Sequence, residues 1–98
     1  VIKESTRRLP LTKVIAVDVD DTLVTRGVVN FELVKWCRAR KEKGFTLILW
    51  SQRGERHAKK MAEYANAVDA FHYIIGKPGY IVDDQGWSWT KFTRRIKK

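Results

Sequence analysis

Apolar residues occur in two kinds of run along this chain. Val14-Ile15-Ala16-Val17 and the stretch from Phe45 to Trp50 are short and continuous, the pattern of strands buried on both faces. Ala58, Met61, Ala62 and Ala65 instead recur at spacings of three and four, which predicts a helix whose small residues let it lie close to a sheet. Between the first two runs, Asn30 is placed to cap a helix carrying Phe31, Val34 and Trp36 or Cys37, and Gly44 supplies its stop. Phe71 to Ile75 gives a third strand, interrupted by His72. After a turn at Gly76-Lys77-Pro78-Gly79, the run Tyr80-Ile81-Val82 gives a fourth that leads into Asp83-Asp84.

Strand, helix, strand, helix, strand, strand is the cadence of an α/β fold with a mostly parallel sheet covered by helices. At 98 residues the chain predicts one domain: a basic lead-in over 1–13, a core over 14–84, and a basic aromatic tail over 85–98. The tail has two readings. Trp89, Phe92 and Ile96 fit one stripe of a terminal helix, whereas the alternation of Trp87 and Trp89 fits a short edge strand.

Charge narrows the partners. The net charge is +9, from 20 Lys plus Arg against 11 Asp plus Glu. Asp18, Asp20, Asp21, Asp83 and Asp84 hold five of those acids in two clusters, leaving a strongly basic remainder. Such a body attracts an anionic partner such as nucleic acid, nucleotide or phosphoprotein, and serves equally as a solvating surface. Arg38, Arg40, Lys41 and Lys43 read as a charged helix face that complements the helix dipole. No run approaches the length of a membrane-spanning helix, Val1 to Ser5 has no signal-like apolar stretch, and the lone Cys37 has no disulfide partner. A cytoplasmic protein with no membrane partner is the expectation.

In open α/β sheets the ligand crevice lies outside the carboxyl ends of the strands. Asp18 ends the first predicted strand, Ser51 the second and Asp83-Asp84 the last, while Lys77 follows the third. Each has an ordinary role when taken alone: an aspartate caps a turn, a serine decorates a loop, a lysine is solvated. Their joint placement points to phosphate chemistry. One carboxylate, Asp18, attacks phosphorus, and a displaced second one, Asp20, handles the proton. Crowded carboxylates need a cation, and Mg²⁺ prefers such hard oxygens, with Asp83 or Asp84 as a further anionic ligand. Lys77, Ser51 and the amides near Asp20 to Leu23 are placed to hold phosphoryl oxygens. Arg53 and His57, which follow a strand end, are candidate substrate contacts. His72 has no second ligand nearby, so no zinc site is expected.

The stretch Val14-Ile15-Ala16-Val17-Asp18-Val19-Asp20-Asp21-Thr22-Leu23 resembles the first motif of the haloacid dehalogenase-like phosphohydrolases, an apolar strand followed by Asp-x-Asp-x-Thr. Leu47-Ile48-Leu49-Trp50-Ser51 is similar to their second motif, Lys77 to the third-motif lysine, and Ile81-Val82-Asp83-Asp84 to the fourth. The resemblance spans residues 14–84. It implies a Rossmann-like three-layer α/β/α sandwich, here with a reduced sheet. It implies a Mg²⁺-dependent phosphatase that forms an aspartyl-phosphate on Asp18, with Asp20 as general acid and base. Ser51, Lys77 and Thr22 would bind phosphate, with Thr22 also bracing the loop, and Asp18, Asp20, Asp83 and Asp84 would serve the metal. No room exists for a substrate-covering cap, so the site should be open and suited to a large phosphorylated substrate such as a nucleic-acid end or phosphoprotein. The competing expectation is a non-catalytic nucleic-acid-binding module on the same fold.

Overall fold

The computed structural model describes residues 11–97. Most of the expected basic lead-in, up to Pro10, lies outside the described residues. Two compact units divide the rest. Lys13–Gly79 form one, while Leu11, Thr12 and the residues from Tyr80 onward belong to the other.

In the first unit the chain runs through β1 (Val14–Asp18), β2 (Val24–Thr25), β3 (Val28–Val29), α1 (Phe31–Glu42), β4 (Thr46–Ser51), α2 (Glu55–Tyr64) and β5 (Tyr73–Gly76). β1, β4 and β5 make a three-stranded sheet with β4 in the centre, and both pairings are parallel. Parallel neighbours need long crossovers, which α1 and α2 provide. The register sets Asp18 beside Trp50 and Ser51 beside Gly76, so the carboxyl ends of all three strands lie in one row.

The core is built from Val17, Leu47 and Leu49 of the strands, Val34 and Cys37 of α1, and Ala58 and Ala62 of α2. Val19 and Leu23, from the loop after β1, are also fully buried. Burial of each large aliphatic side chain stabilises the fold by roughly 1.5–3 kcal/mol. β4 departs from the two-sided burial its sequence suggests. Leu47, Leu49 and Ser51 are buried, but Thr46, Ile48 and Trp50 are partly exposed, so one face of the sheet is sealed better than the other. A continuous apolar run leaves that distinction open, because it lacks the alternation that would mark a one-sided strand.

Local chemistry explains the helix ends. The Asn30 side chain accepts a hydrogen bond from the Leu33 amide at 3.0 Å, capping α1. The basic face of α1 does more than solvate. Arg38 grips Asp69 with Nε at 3.1 Å and Nη2 at 2.8 Å, and the same Nη2 reaches the Asn66 carbonyl at 2.8 Å. That fork holds the loop after α2 against α1 and draws the Asp69 carboxyl below its usual range. Arg40 lies over the rings of Trp36 and Phe45, at 5.1 and 5.4 Å from their centroids. His72 is a ladder residue: its Nδ1 accepts from the Leu47 amide at 3.0 Å, and its own amide donates to the Leu47 carbonyl at 2.8 Å.

The second unit corrects two expectations. Tyr80-Ile81-Val82 forms no strand, and Tyr80 and Val82 are 95% and 102% exposed. Three apolar residues just after Pro78-Gly79 make too short a run to bury a face, and nothing then offsets the entropy of ordering them. The tail forms neither an α-helix nor an edge strand; Gly86–Phe92 is a 3₁₀ segment. Its hydrogen bonds are local, from Ser88 Oγ to the Gln85 carbonyl at 2.7 Å and from Thr90 Oγ1 to the Trp87 carbonyl at 2.8 Å. Hydroxyl groups that bond their own neighbouring backbone compete with a regular ladder. Among the described residues, no helix is long and apolar enough to cross a membrane.

Candidate functional site

The loop after β1 is wound tightly enough to aim several groups at one place. The Val19 carbonyl accepts from the amides of Thr22, Leu23 and Val24 at 3.2, 2.9 and 3.1 Å. The Asp21 amide donates to the Val24 carbonyl at 2.9 Å, and Asp21 takes the left-handed φ of 62° that aspartate tolerates better than most residues. Burial of Val19 and Leu23 anchors this turn, leaving Asp18, Asp20 and Thr22 at its accessible side.

Asp18 is held at both oxygens. Lys77 Nζ stands 3.0 Å from Oδ1, and Thr22 Oγ1 donates to Oδ2 at 3.1 Å. The Thr22 hydroxyl hydrogen is therefore committed to Asp18, which makes this side chain an orienting group for the carboxylate and removes it as a simultaneous donor to phosphate. Asp20 turns elsewhere. Its Oδ1 lies 3.1 Å from His57 Nε2 and 3.7 Å from Arg53 Nη1. Each carboxylate thus has its own cationic partner.

Ser51 ties these partners together. It is 1% exposed, and its Oγ accepts from the Arg53 amide at 3.0 Å. Its carbonyl accepts from the amides of Gly54 at 3.0 Å and Lys77 at 2.9 Å. One buried serine at the end of the central strand thereby fixes where both cation-bearing segments leave the sheet. Gly76 permits the closeness: a Cβ there would meet Gly54 Cα at 3.3 Å.

Asp18, Asp20, Thr22, Ser51, Arg53, His57 and Lys77 all belong to the Lys13–Gly79 unit, at or just past its strand ends. Asp83 and Asp84 belong to the other unit. There Asp83 Oδ1 accepts from the Gln85 amide at 2.8 Å, the closed turn typical of an aspartate. Among the described residues, no three His, Cys, Asp or Glu side chains gather closely enough to hold a metal ion. The carboxylate and carbonyl oxygens of Asp18 and Asp20 nevertheless suit Mg²⁺ in kind, because Mg²⁺ is commonly held by one or two carboxylates completed by water and substrate phosphate.

Beside this loop stands the β2–β3 hairpin, which the apolar pattern of the sequence does not predict. Arg26 and Gly27 both have positive φ, 50° and 78°, as a two-residue turn between right-twisted strands requires. An X-Gly pair between Val24-Thr25 and Val28-Val29 is the signal that would have found it. The Tyr64 hydroxyl donates to the Gly27 carbonyl and fastens the hairpin tip to α2.

Compared with protein-family models, with curated proteins and with solved structures, the chain matches none of them.

Proposed function

We propose that this chain is a Mg²⁺-dependent phosphomonoester hydrolase of the haloacid dehalogenase-like kind, working through an aspartyl-phosphate on Asp18. The observation that carries the reading is the arrangement at Asp18. A partly exposed carboxylate at a strand end is fixed at both oxygens by Thr22 and Lys77, and a second carboxylate, Asp20, is turned toward an imidazole. In the reaction an Asp18 oxygen forms a bond to phosphorus while the phosphorus–oxygen bond to the leaving group breaks. Asp20 in its acid form gives the leaving oxygen a proton, and as a base it later takes one from the water that hydrolyses the acyl-phosphate. Thr22 orients Asp18, Lys77 offsets charge on the phosphoryl oxygens, and His57 with Arg53 holds Asp20 in place. Asp18 and the Asp20 carbonyl would hold Mg²⁺, which when bound would screen the phosphate's charge from the attacking carboxylate.

The finer fold proposed is the reduced Rossmann-like three-layer sandwich of that superfamily, in a cytoplasmic protein. With only a short hairpin beside the loop, a large substrate such as a phosphorylated nucleic-acid end fits an open site on a basic body. The test compares wild type with Asp18→Asn on p-nitrophenyl phosphate, nucleotides and phosphorylated oligonucleotides, with and without Mg²⁺. Wild type should turn over at least one of them only with Mg²⁺, and the variant should fall below detection. No hydrolysis of any by wild type sinks the reading.

One observation favours the second reading, a non-catalytic nucleic-acid-binding module. Trp87 is 58% exposed, with its ring 6.4 Å from that of Trp89, in a segment that also carries Lys91, Arg94, Arg95 and Lys97. Exposed aromatics among cations are how single strands are stacked and held. Salt-sensitive binding of DNA or RNA without phosphatase activity would select it.

A further inference from the structure

An open cavity of about 550 Å³ lies between the β2–β3 hairpin and α2, with Asp20 and Asp21 along one side of it. Its size falls in the range of small-molecule sites, roughly 300–1,000 Å³. Arg26 faces it from the hairpin and Lys60 from α2, with Met61 and Tyr64 as a less polar wall. Arg53 and His57 also line it, but both are turned on Asp20. Among the described residues, neither Arg26 nor Lys60 has an ion-pair partner. The Tyr64–Gly27 hydrogen bond fixes the two walls to each other, so these two cations border a preset space. Arg26 does so from a left-handed backbone, φ 50°, at a turn position better suited to Asn, Asp or Gly. Such conformations persist where the surroundings enforce them, and they cluster at ligand sites.

We propose that this cavity is an anion subsite for a second phosphate, on the leaving-group side of a substrate whose scissile phosphate stands at Asp18. The proposal rests on the phosphatase reading and names its substrate class: phosphomonoesters that carry another phosphate or phosphodiester nearby. An Arg fork and a Lys point charge are a matched pair for phosphate oxygens. The cavity is larger than one phosphate needs, and Tyr64 with Met61 gives an apolar surface for the group between the two phosphates. A nucleic-acid end and a free nucleoside bisphosphate share this chemistry.

The test uses Lys60→Ala, on an exposed helical position, and Arg26→Gly, which the positive φ accommodates without strain. Substrates are p-nitrophenyl phosphate, a nucleoside bisphosphate and a phosphorylated tetranucleotide. Each substitution should raise KM about threefold to tenfold on whichever two-phosphate substrate is native, the range expected for removing one exposed cation from an anion. KM for p-nitrophenyl phosphate should stay as it was. A shift with the bisphosphate alone identifies a small substrate, and a shift with the tetranucleotide identifies a nucleic-acid end. Titration calorimetry with the same two ligands, in an Asp18→Asn background, reads the subsite without turnover, and the same factor should appear in Kd. If wild type hydrolyses nothing but the two substitutions weaken binding, the phosphatase reading fails and the subsite stands. If KM and Kd for both two-phosphate ligands are unchanged in both variants, the subsite is refuted, whatever the enzyme does to p-nitrophenyl phosphate.

Discussion

Replacing Lys77 by Met removes the cation that faces Asp18, and the structure sets the size of the effect. Nζ and Oδ1 are 3.0 Å apart, with the side chains 31% and 36% exposed. Two unit charges about 4 Å apart interact by about 1 kcal/mol in water and about 4 kcal/mol at an effective dielectric of 20. Desolvation and side-chain ordering oppose that attraction, and exposed pairs retain only about 0.2–1 kcal/mol. Asp18 is just over a third exposed, so the screened end of the scale applies, raised slightly because Thr22 already orders the carboxylate. A net coupling of about 1 kcal/mol follows, or roughly 4–8 °C in Tm for a domain of this size.

The assay is a double-mutant cycle of Lys77→Met and Asp18→Asn, read by urea unfolding and circular dichroism at low and high salt. Both single variants should lose stability, and the double variant should lose less than their sum by about 1 kcal/mol, with the coupling shrinking in salt. Carboxylate crowding alone predicts the opposite sign for Asp18→Asn, because removing one of two repelling charges should stabilise the metal-free protein. The pairing of Asp18 with Lys77, and of Asp20 with His57 and Arg53, is why loss of stability is expected instead. A coupling within the roughly 0.3–0.5 kcal/mol shown by independent sites would refute this electrostatic account.

Two further outcomes are expected. Asp20→Asn should slow turnover about 10²- to 10⁴-fold on alkyl phosphates and less on p-nitrophenyl phosphate, whose leaving group needs little protonation; equal losses on both would remove Asp20 from the acid role. Burial pushes the Cys37 thiol from 9.0 up to about 11, so the folded state favours the neutral form. Its contribution is full below the unfolded thiol's pKa and is lost as pH rises through about 11, on the order of 2 kcal/mol in all. Urea midpoints should therefore fall over that window, and a pH-independent midpoint in wild type, or a fall that Cys37→Ser reproduces, would show that Cys37 is not its source.

What was legible in the sequence was local. Asn30 before Phe31 announced the cap of α1, and the Ala58-Met61-Ala62-Ala65 stripe announced α2, because both signals act within a turn or two of helix. β1 and β4 were legible as continuous apolar runs, and their ends brought Asp18 and Ser51 into one row. The rest depended on partners that the pattern does not name. The partial exposure of Ile48 and Trp50 depends on what covers each face of the sheet. Tyr80-Ile81-Val82 has strand-like residues without the length to bury them. Gly27 marks a turn in the sequence, but the hairpin around it was hidden because its strands are only two residues long and Arg is an uncommon occupant of a left-handed position. At the site, residue types and strand ends were readable; the pairing of each carboxylate with its own cation was not, since it depends on side chains brought together from β1, α2 and the end of β5.

That pairing bears on how the proposed chemistry would begin. The Lys77 ammonium and the Thr22 hydroxyl hold the two oxygens of Asp18 in one orientation at the strand end. Under that proposal, a phosphate that enters beside Asp18 offers the Lys77 ammonium a new anion. The lysine then has a partner at each stage, while the Asp18 oxygen it releases is freed to attack. In the proposed reaction Asp20 has a different task, giving and later taking a proton. Its contacts differ from those of Asp18: His57 Nε2 lies 3.1 Å from Oδ1, and Arg53, at 3.7 Å, is a looser contact than the 3.0 Å between Lys77 and Asp18. Separate cations, carried by segments that Ser51 anchors to the sheet, position the two aspartates independently of each other.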